Sequence, residues 1–217
     1  MEFNKIVRGA ARAANTEQDV YDILDAGFLC HIAFQHQGQT MMIPTAYGRK
    51  KDVIYIHGSS KNFMMQQLLD GQTACLSVTH VDGLVLARTL FDTSVNYRSV
   101  VLFGKATLVS DPDEKIEGMR IITENIIPGR WSEVSLGTPQ QVDTTMVIKI
   151  QIDSASAKVR QGGPKGDEKI EQSVWSGEVP FFTHIGTPIL DGKFNDAPSL
   201  SQSVLDLQKH SMLDKKV

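Results

Sequence analysis

The chain reads as mainly β with peripheral helices, an antiparallel barrel, and three observations carry that reading. Short runs alternate apolar and polar residues at a period of two, roughly six or seven of them. Most of their connections are too short for the crossovers that a parallel sheet needs. A set of this size disposes of its edges by closing on itself, which favours a barrel over a sandwich.

Taken in order, Thr16 to Ala26 predicts a helix: Thr16 caps it, Asp19 stands three residues on, Val20, Ile23 and Leu24 share a face, and Gly27 ends it. Phe28 to Gln35, Gln39 to Tyr47 and Val53 to His57 follow as strands of a meander, separated by His36-Gln37-Gly38 and by a charged turn, Arg49 to Asp52. A helix is expected from Asn62 to Asp70, ended by Gly71. Ala74 to Val81 and Leu84 to Ala87 flank Asp82-Gly83, which predicts a hairpin there. Phe91 to Ser99 is then a donor-rich loop, Ser99 to Leu108 a strand, Asp111-Pro112-Asp113 the start of a helix to about Ile126, and Thr144 to Ile152 a strand. From about Ser154 the character changes. Arg160 to Asp167 reads as a loop and Trp175 to Phe182 as a short aromatic element. Residues 1–190 are expected to form the barrel domain and residues 191–217 a polar tail, mobile or clasping a partner.

At 217 residues, 41% hydrophobic and 22% charged, the chain is long enough for one sizeable core. A net charge of −3 with no block of Lys or Arg argues against nucleic acid or an anionic membrane as a partner. No apolar run approaches the roughly 20 residues of a spanning helix, and Met1 to Ala14 has no signal-like apolar core, so the expected location is cytoplasmic. Cys30 and Cys75 sit in strand-like runs without metal-site spacing and read as reduced core residues. No metal site is expected.

Val53 to Asn62 is the most informative stretch, an apolar strand that runs into Gly58-Ser59-Ser60-Lys61 and then a helix. Amides at a helix start lack intrahelical partners and attract anions, and two hydroxyls and a cation stand beside them, so the turn suits a phosphate. Ser60 as a simple N-cap explains the same residues equally well. The second donor-rich segment is Thr93, Ser94, Asn96, Tyr97, Arg98 and Ser99, suited to an oxyanion or a heteroaromatic ring, with a solvated loop as the plainer reading. Pro44, within Met41 to Tyr47, removes a ladder donor and marks an edge or a ligand-facing break.

There is no nucleophile elbow, paired-histidine metal motif, phosphate-binding Walker loop or dinucleotide glycine fingerprint. The reactive group must be borrowed. Of the histidines at 31, 36, 57, 80, 184 and 210, only His57 has a context, directly before the phosphate turn.

The segments "ILDAGFLCHIAF", "IPTAYG", "IYIHGSSKNFMM", "VDGLVLARTLFDTSVNYRSVVLFGKA", "IIPGRW", "SAKVR" and "VWSGEVP" together resemble the pyridoxamine 5′-phosphate oxidase-like, FMN-binding split-barrel superfamily, in particular its flavin-nucleotide-binding branch related to nitroimidazole-resistance reductases. That resemblance implies a six-stranded antiparallel split β-barrel, homodimeric, with FMN (or FAD) at the subunit interface. It places Ile43, Pro44, Thr45 and Tyr47 at the flavin ring, and His57, Gly58, Ser59 and Ser60 at the ribityl and phosphate end with Lys61, Asn62 and Met64 beside them. Asn62 stands where many relatives carry an arginine, with Lys61 as a substitute cation. Ser94, Asn96, Tyr97 and Arg98 fall near the flavin and dimer seam, and Lys158, Arg160 and Trp175 reach the partner's site. His57 and Tyr97 are the catalytic candidates.

Three functions are compatible with this pattern. The first is an FMN-dependent oxidoreductase acting on a small molecule such as a nitro-aromatic or a vitamin-B6-like compound. The second is a non-catalytic carrier, sensor or haem-handling protein of the same fold. The third is a protein for another phosphorylated cofactor, such as FAD or a deazaflavin.

Overall fold

The computed structural model describes residues 1–4, 13–14, 16–166, 173–193 and 199–213. Among these are eleven strands, β1 Glu2–Phe3, β2 Ala13–Ala14, β3 Leu29–His36, β4 Gln39–Ala46, β5 Gly48–Lys50, β6 Val53–Ser59, β7 Thr73–Leu86, β8 Ser94–Leu108, β9 Thr145–Gln151, β10 Ser154–Arg160 and β11 Gly177–Pro180. The helices are α1 Glu17–Asp25, α2 Phe63–Leu68, α3 Pro112–Ile126, α4 Pro139–Thr144 and α5 Gln202–Leu213, with one 3-10 turn at Arg130–Glu133.

The main path of the sheet runs β4-β3-β7-β8-β9-β6-β5, antiparallel throughout, with β10 and β11 laid on the flanks of β8 and β7. The mainly β, antiparallel expectation holds; closure and the count of six do not. Among the described residues no ladder joins β4 to β5 or β6, so the path stays open at β4. Pro44, in the middle of β4, suits an edge position, because a strand lacking a central N–H is found at sheet edges.

β8 organises the fold. Up to Phe103 it pairs with β10, and from Ala106 it pairs with β9. Between them lies Gly104, where a Cβ would stand 1.9 Å from Gln151 O, so only glycine lets the strand pass from one partner to the other. Even positions Val100 and Leu102 are buried in the main core with Ile32, Leu76, Ile54 and Ile150, while odd positions Val101 and Phe103 are half-buried on the outer face. Val20, Ile23 and Leu24 of α1, and Met64, Met65 and Leu68 of α2, close over this core. A second cluster, Tyr55, Ile121, Ile122, Val109 and Val147, sits under α3.

Local chemistry explains the helix starts. Thr16 and Asp19 form a reciprocal capping box on α1, and Asp111 caps α3 with Pro112 in its first turn. The segment predicted as an Asp82-Gly83 hairpin is a bulge inside one continuous strand, β7, with the register shifting between Val81 and Gly83. The turn proper comes later, at 87–93. Residues 94–99, predicted as loop, are the first six of β8, and the change of character expected at Ser154 is instead the start of β10. The polar tail holds α5, whose start is held to the 3-10 turn: Ser203 N donates to Glu133 Oε1 at 2.8 Å and Arg130 Nη1 to Ser201 Oγ at 3.1 Å. Residues 194–198 and 214–217 of that tail lie outside the described residues.

Candidate functional site

Ile43, Pro44 and Thr45 lie on β4, paired with Ile32, His31 and Cys30 of β3 on one side and with no strand on the other. That free edge offers backbone groups to a flat ligand. Tyr47, expected beside it, is fully buried, and its hydroxyl donates to Leu24 O at the end of α1. Its carbonyl accepts from Asn125 Nδ2 at 2.9 Å, and its amide donates to Phe28 O at 3.1 Å. The expectation of a ring contact therefore fails for the Tyr47 side chain, which is core.

β6 ends in the predicted phosphate turn, and here the side chains stand open. Ser59, Ser60 and Lys61 are exposed, and the turn is built by Lys61 N donating to Ser59 Oγ at 3.2 Å and Asn62 N donating to Ser59 O at 2.8 Å. The N-cap of α2 is Asn62, whose Oδ1 accepts from Met65 N at 3.2 Å. Both earlier uses of these residues change: Ser60 does not cap the helix and so keeps its hydroxyl, while the Asn62 side chain is spent on the cap. At Gly58 a Cβ would approach Met65 Sδ to 2.8 Å, so glycine permits α2 to fold back against β6. Met64 faces the core and offers nothing to a ligand.

His57 reaches solvent from the end of β6, yet the protein packed around it holds its imidazole below the usual value through desolvation. It is neutral at pH 7, with a nitrogen lone pair available.

The second group lies elsewhere. Alternation along β8 sends Ser94, Asn96 and Arg98 to one side and Tyr97 to the other. Arg98 is committed to Asp82, with Nε to Oδ2 at 3.0 Å and Nη2 to Oδ1 at 2.8 Å, and this pairing raises its already high pKa. Asp82 is itself the bulge residue of β7, so the register shift falls at the partner of Arg98. Asn96 and Arg160 are buried together: Arg160 Nη1 donates to Asn96 Oδ1 and to Gly162 O at 2.8 Å, and Asn96 Nδ2 donates to Glu178 Oε2 at 2.7 Å. Glu178 on β11 balances the buried guanidinium through one amide. Nothing in the sequence marked Glu178 beyond its place in "VWSGEVP". Half-buried Lys158 pairs with Ser99, and Trp175 lies against Gly177 with 61% of its surface exposed.

The predicted site residues thus form two groups rather than one. The β4 edge and the Ser59–Asn62 turn belong to one, and Tyr97, Arg98, Lys158, Arg160 and Trp175 to the other. From Tyr97 to Leu108 along β8 is about 35 Å at ~3.3 Å per residue, and Ser59 lies further on, opposite Thr145. Burial also pushes the Cys30 thiol up to about 12, which leaves it inert beneath β4. No helix among the described residues is long and apolar enough to cross a membrane.

This antiparallel fold is shared with known proteins. The family model for pyridoxamine 5′-phosphate oxidase matches residues 16–159, and the chain belongs to that family. Among solved structures it is similar to the flavocytochrome Anf3 from Azotobacter vinelandii, with 32% identity over 95% of this chain and 98% of that one and a TM-score of 0.86. It is also similar to an FAD and heme binding protein from Mycobacterium smegmatis, with 30% identity over 90% and 96% of the two chains and a TM-score of 0.85. A Bacteroides thetaiotaomicron protein tied by its description to 5-nitroimidazole antibiotic resistance matches at 19% identity over 68% of this chain and 86% of that one, TM-score 0.57, and shows the fold alone. No curated protein matches the sequence.

Proposed function

We propose that this protein is a flavin-dependent oxidoreductase that works as a homodimer, with each flavin held across the interface and a small molecule as substrate. The support for a flavin is family membership together with similarity, over nearly the whole length, to a flavocytochrome and to an FAD and heme binding protein. The second of these, an FAD and heme binding protein, favours FAD over FMN. The observation that supports a site here is the β4 edge, which has no ladder partner beyond β3 among the described residues and touches β6, the strand that ends in the open Ser59–Lys61 turn. The edge suits the flavin ring, and the turn, with two exposed hydroxyls and a cation, suits a phosphate. The bound flavin supplies the electron-transfer chemistry. The chain's own residues hold it, exclude water from one face, and present His57 as a neutral group near the strand end.

The support for a homodimer is the separation of the two residue groups along β8. One flavin spans both only if Tyr97, Lys158 and Trp175 come from a second copy.

A second reading, a flavin and haem protein, has the names of the same two relatives in its favour. His57, with its neutral imidazole, is the residue on this chain suited to a haem iron. The test of both readings is an ultraviolet-visible spectrum of the purified protein, with the released chromophore identified by chromatography. Bands near about 370 and 450 nm with FAD released support the first reading. A Soret band that disappears in His57→Ala supports the second, and no chromophore after supplementation with FAD, FMN and haem ends both.

A further inference from the structure

Met41 and Met42 are neighbours on β4, with 37% and 62% of their surfaces exposed. The other described methionine side chains are covered: Met64 and Met65 belong to the core, and Met1, Met119 and Met146 pack partly buried against the two clusters. Methionine is usually an interior residue, and its unbranched, polarizable thioether adapts to irregular and aromatic surfaces. Two of them side by side in water, directly before Ile43 and Pro44, therefore form a soft apolar surface at the edge assigned to the flavin ring.

Alternation aims the pair in opposite directions. Met41 stands across the ladder from buried Phe34 and so shares the core face, while Met42 stands across from Ala33 on the outer face. Inside a sheet the two side chains would serve separate surfaces. β4 has no ladder partner beyond β3 among the described residues, so both can reach around its open side. A flat ring lying against that edge, in the plane of the sheet, receives one thioether over each face, at a sulfur–aromatic separation of about 5 Å.

We propose that Met41 and Met42 grip the flavin ring from its two faces and that oxidation of these two sulfurs by peroxide releases it. The inference rests on the β4 edge as the flavin site and adds the regulation of that site. The oxidant is hydrogen peroxide, the two-electron reduction product of dioxygen, a reduction within the reach of flavin chemistry. Each thioether attacks one peroxide oxygen: the S–O bond forms as the O–O bond breaks, and the sulfur gives up two electrons. The other oxygen leaves as hydroxide and takes the proton from the new S–OH group, so that the products are a sulfoxide and water. The sulfoxide is polar and hydrated, which sets it against contact with an aromatic face, and sulfoxide reductases return it to the thioether.

The experiment treats the full-length protein with hydrogen peroxide, empty and loaded with FAD, and compares wild type with Met41→Leu/Met42→Leu, since leucine keeps the apolar volume without the sulfur. Peptide masses report sulfoxide at each methionine, and titration reports FAD affinity. In the empty wild type, Met41 and Met42 are expected to oxidise about tenfold faster than buried Met64 and Met65, and bound FAD is expected to slow them about fivefold. Treated wild type is expected to bind FAD about tenfold more weakly and to recover on incubation with sulfoxide reductases, while the treated leucine variant keeps its untreated affinity. Unchanged FAD affinity with both sulfoxides formed overturns the proposal and leaves the flavin site standing. An equal loss of affinity in the treated leucine variant also overturns it, as does an oxidation rate at Met41 and Met42 that bound FAD does not slow. An untreated wild type that binds neither FAD nor FMN overturns the flavin site itself, and this control with it.

Discussion

The Ser59–Asn62 turn and the Ser94–Arg98 strand are equally rich in polar side chains, and the protein treats them in opposite ways. In the turn, Ser60 and Lys61 stand exposed, and the internal bonds are mostly backbone. In the strand, Arg98 is locked on Asp82, and Asn96 is locked between Arg160 and Glu178. Density of donors in a sequence therefore says little about availability. A ligand is met by the groups that the fold leaves unsatisfied, and an internal network uses up the rest.

The largest expected effect comes from breaking the locked end. Asn96→Ala removes a side-chain acceptor from the buried Arg160 guanidinium and the donor to Glu178, and urea unfolding is expected to show a loss of about 2 kcal/mol. A loss below 0.5 kcal/mol would mean that Arg160 is solvated and free for a ligand after all. Tyr47→Phe comes next, since it takes the hydroxyl donor from Leu24 O at the end of α1 and leaves that carbonyl the long bond from Gly27 N at 3.4 Å; a cost of about 1 kcal/mol with flavin affinity unchanged is expected. Flavin titration should show the reverse pattern for Ser59→Ala/Ser60→Ala, with binding weakened about tenfold and stability held within about 0.5 kcal/mol.

The smallest effects are in pH dependence. His57 has a folded-state value below its unfolded 6.5, so the unfolded chain takes up the proton first. Stability is full above 6.5 and declines as pH falls from there through the lowered folded value, and His57→Gln should flatten that decline. Glu133 behaves as a carboxylate held at about 2 by the Ser203 hydroxyl and amide, with Ser201 and Arg130 adding to them. Its contribution is present above 4.5 and disappears as pH falls toward 2. Glu133→Gln is expected to speed proteolysis within residues 181–193, and an unchanged cleavage rate would show that α5 is held by its apolar contacts alone.

Much of the fold was legible where one local rule governs. The Thr16–Asp19 capping box, the Asp111-Pro112 start of α3, and the alternation of β3 all follow from short-range chemistry. Legibility failed where a distant partner decides. Asp82-Gly83 has the residues of a hairpin turn, but the β11 strand pairs with Gly83 through Pro180 and holds β7 straight. Ser94 to Ser99 looks like a polar loop because β8 is flanked there by β7 and β10, whose side chains take up its hydrogen bonds. A turn followed by a helix stands where the sequence placed it, but which residue caps that helix was not legible, because Ser60 and Asn62 are both good caps and only the point at which α2 begins separates them.

Pro44 carries one more consequence. A long strand edge that waits for a cofactor is, before the cofactor arrives, a template on which another chain's strand can grow. A proline in the middle of β4 interrupts that template while leaving its carbonyl groups in place. On the proposed reading of the β4 edge as a flavin site, the same residue guards the cofactor-free protein against edge-to-edge aggregation, and Pro44→Val is expected to shorten the shelf life of the cofactor-free form far more than that of the loaded one.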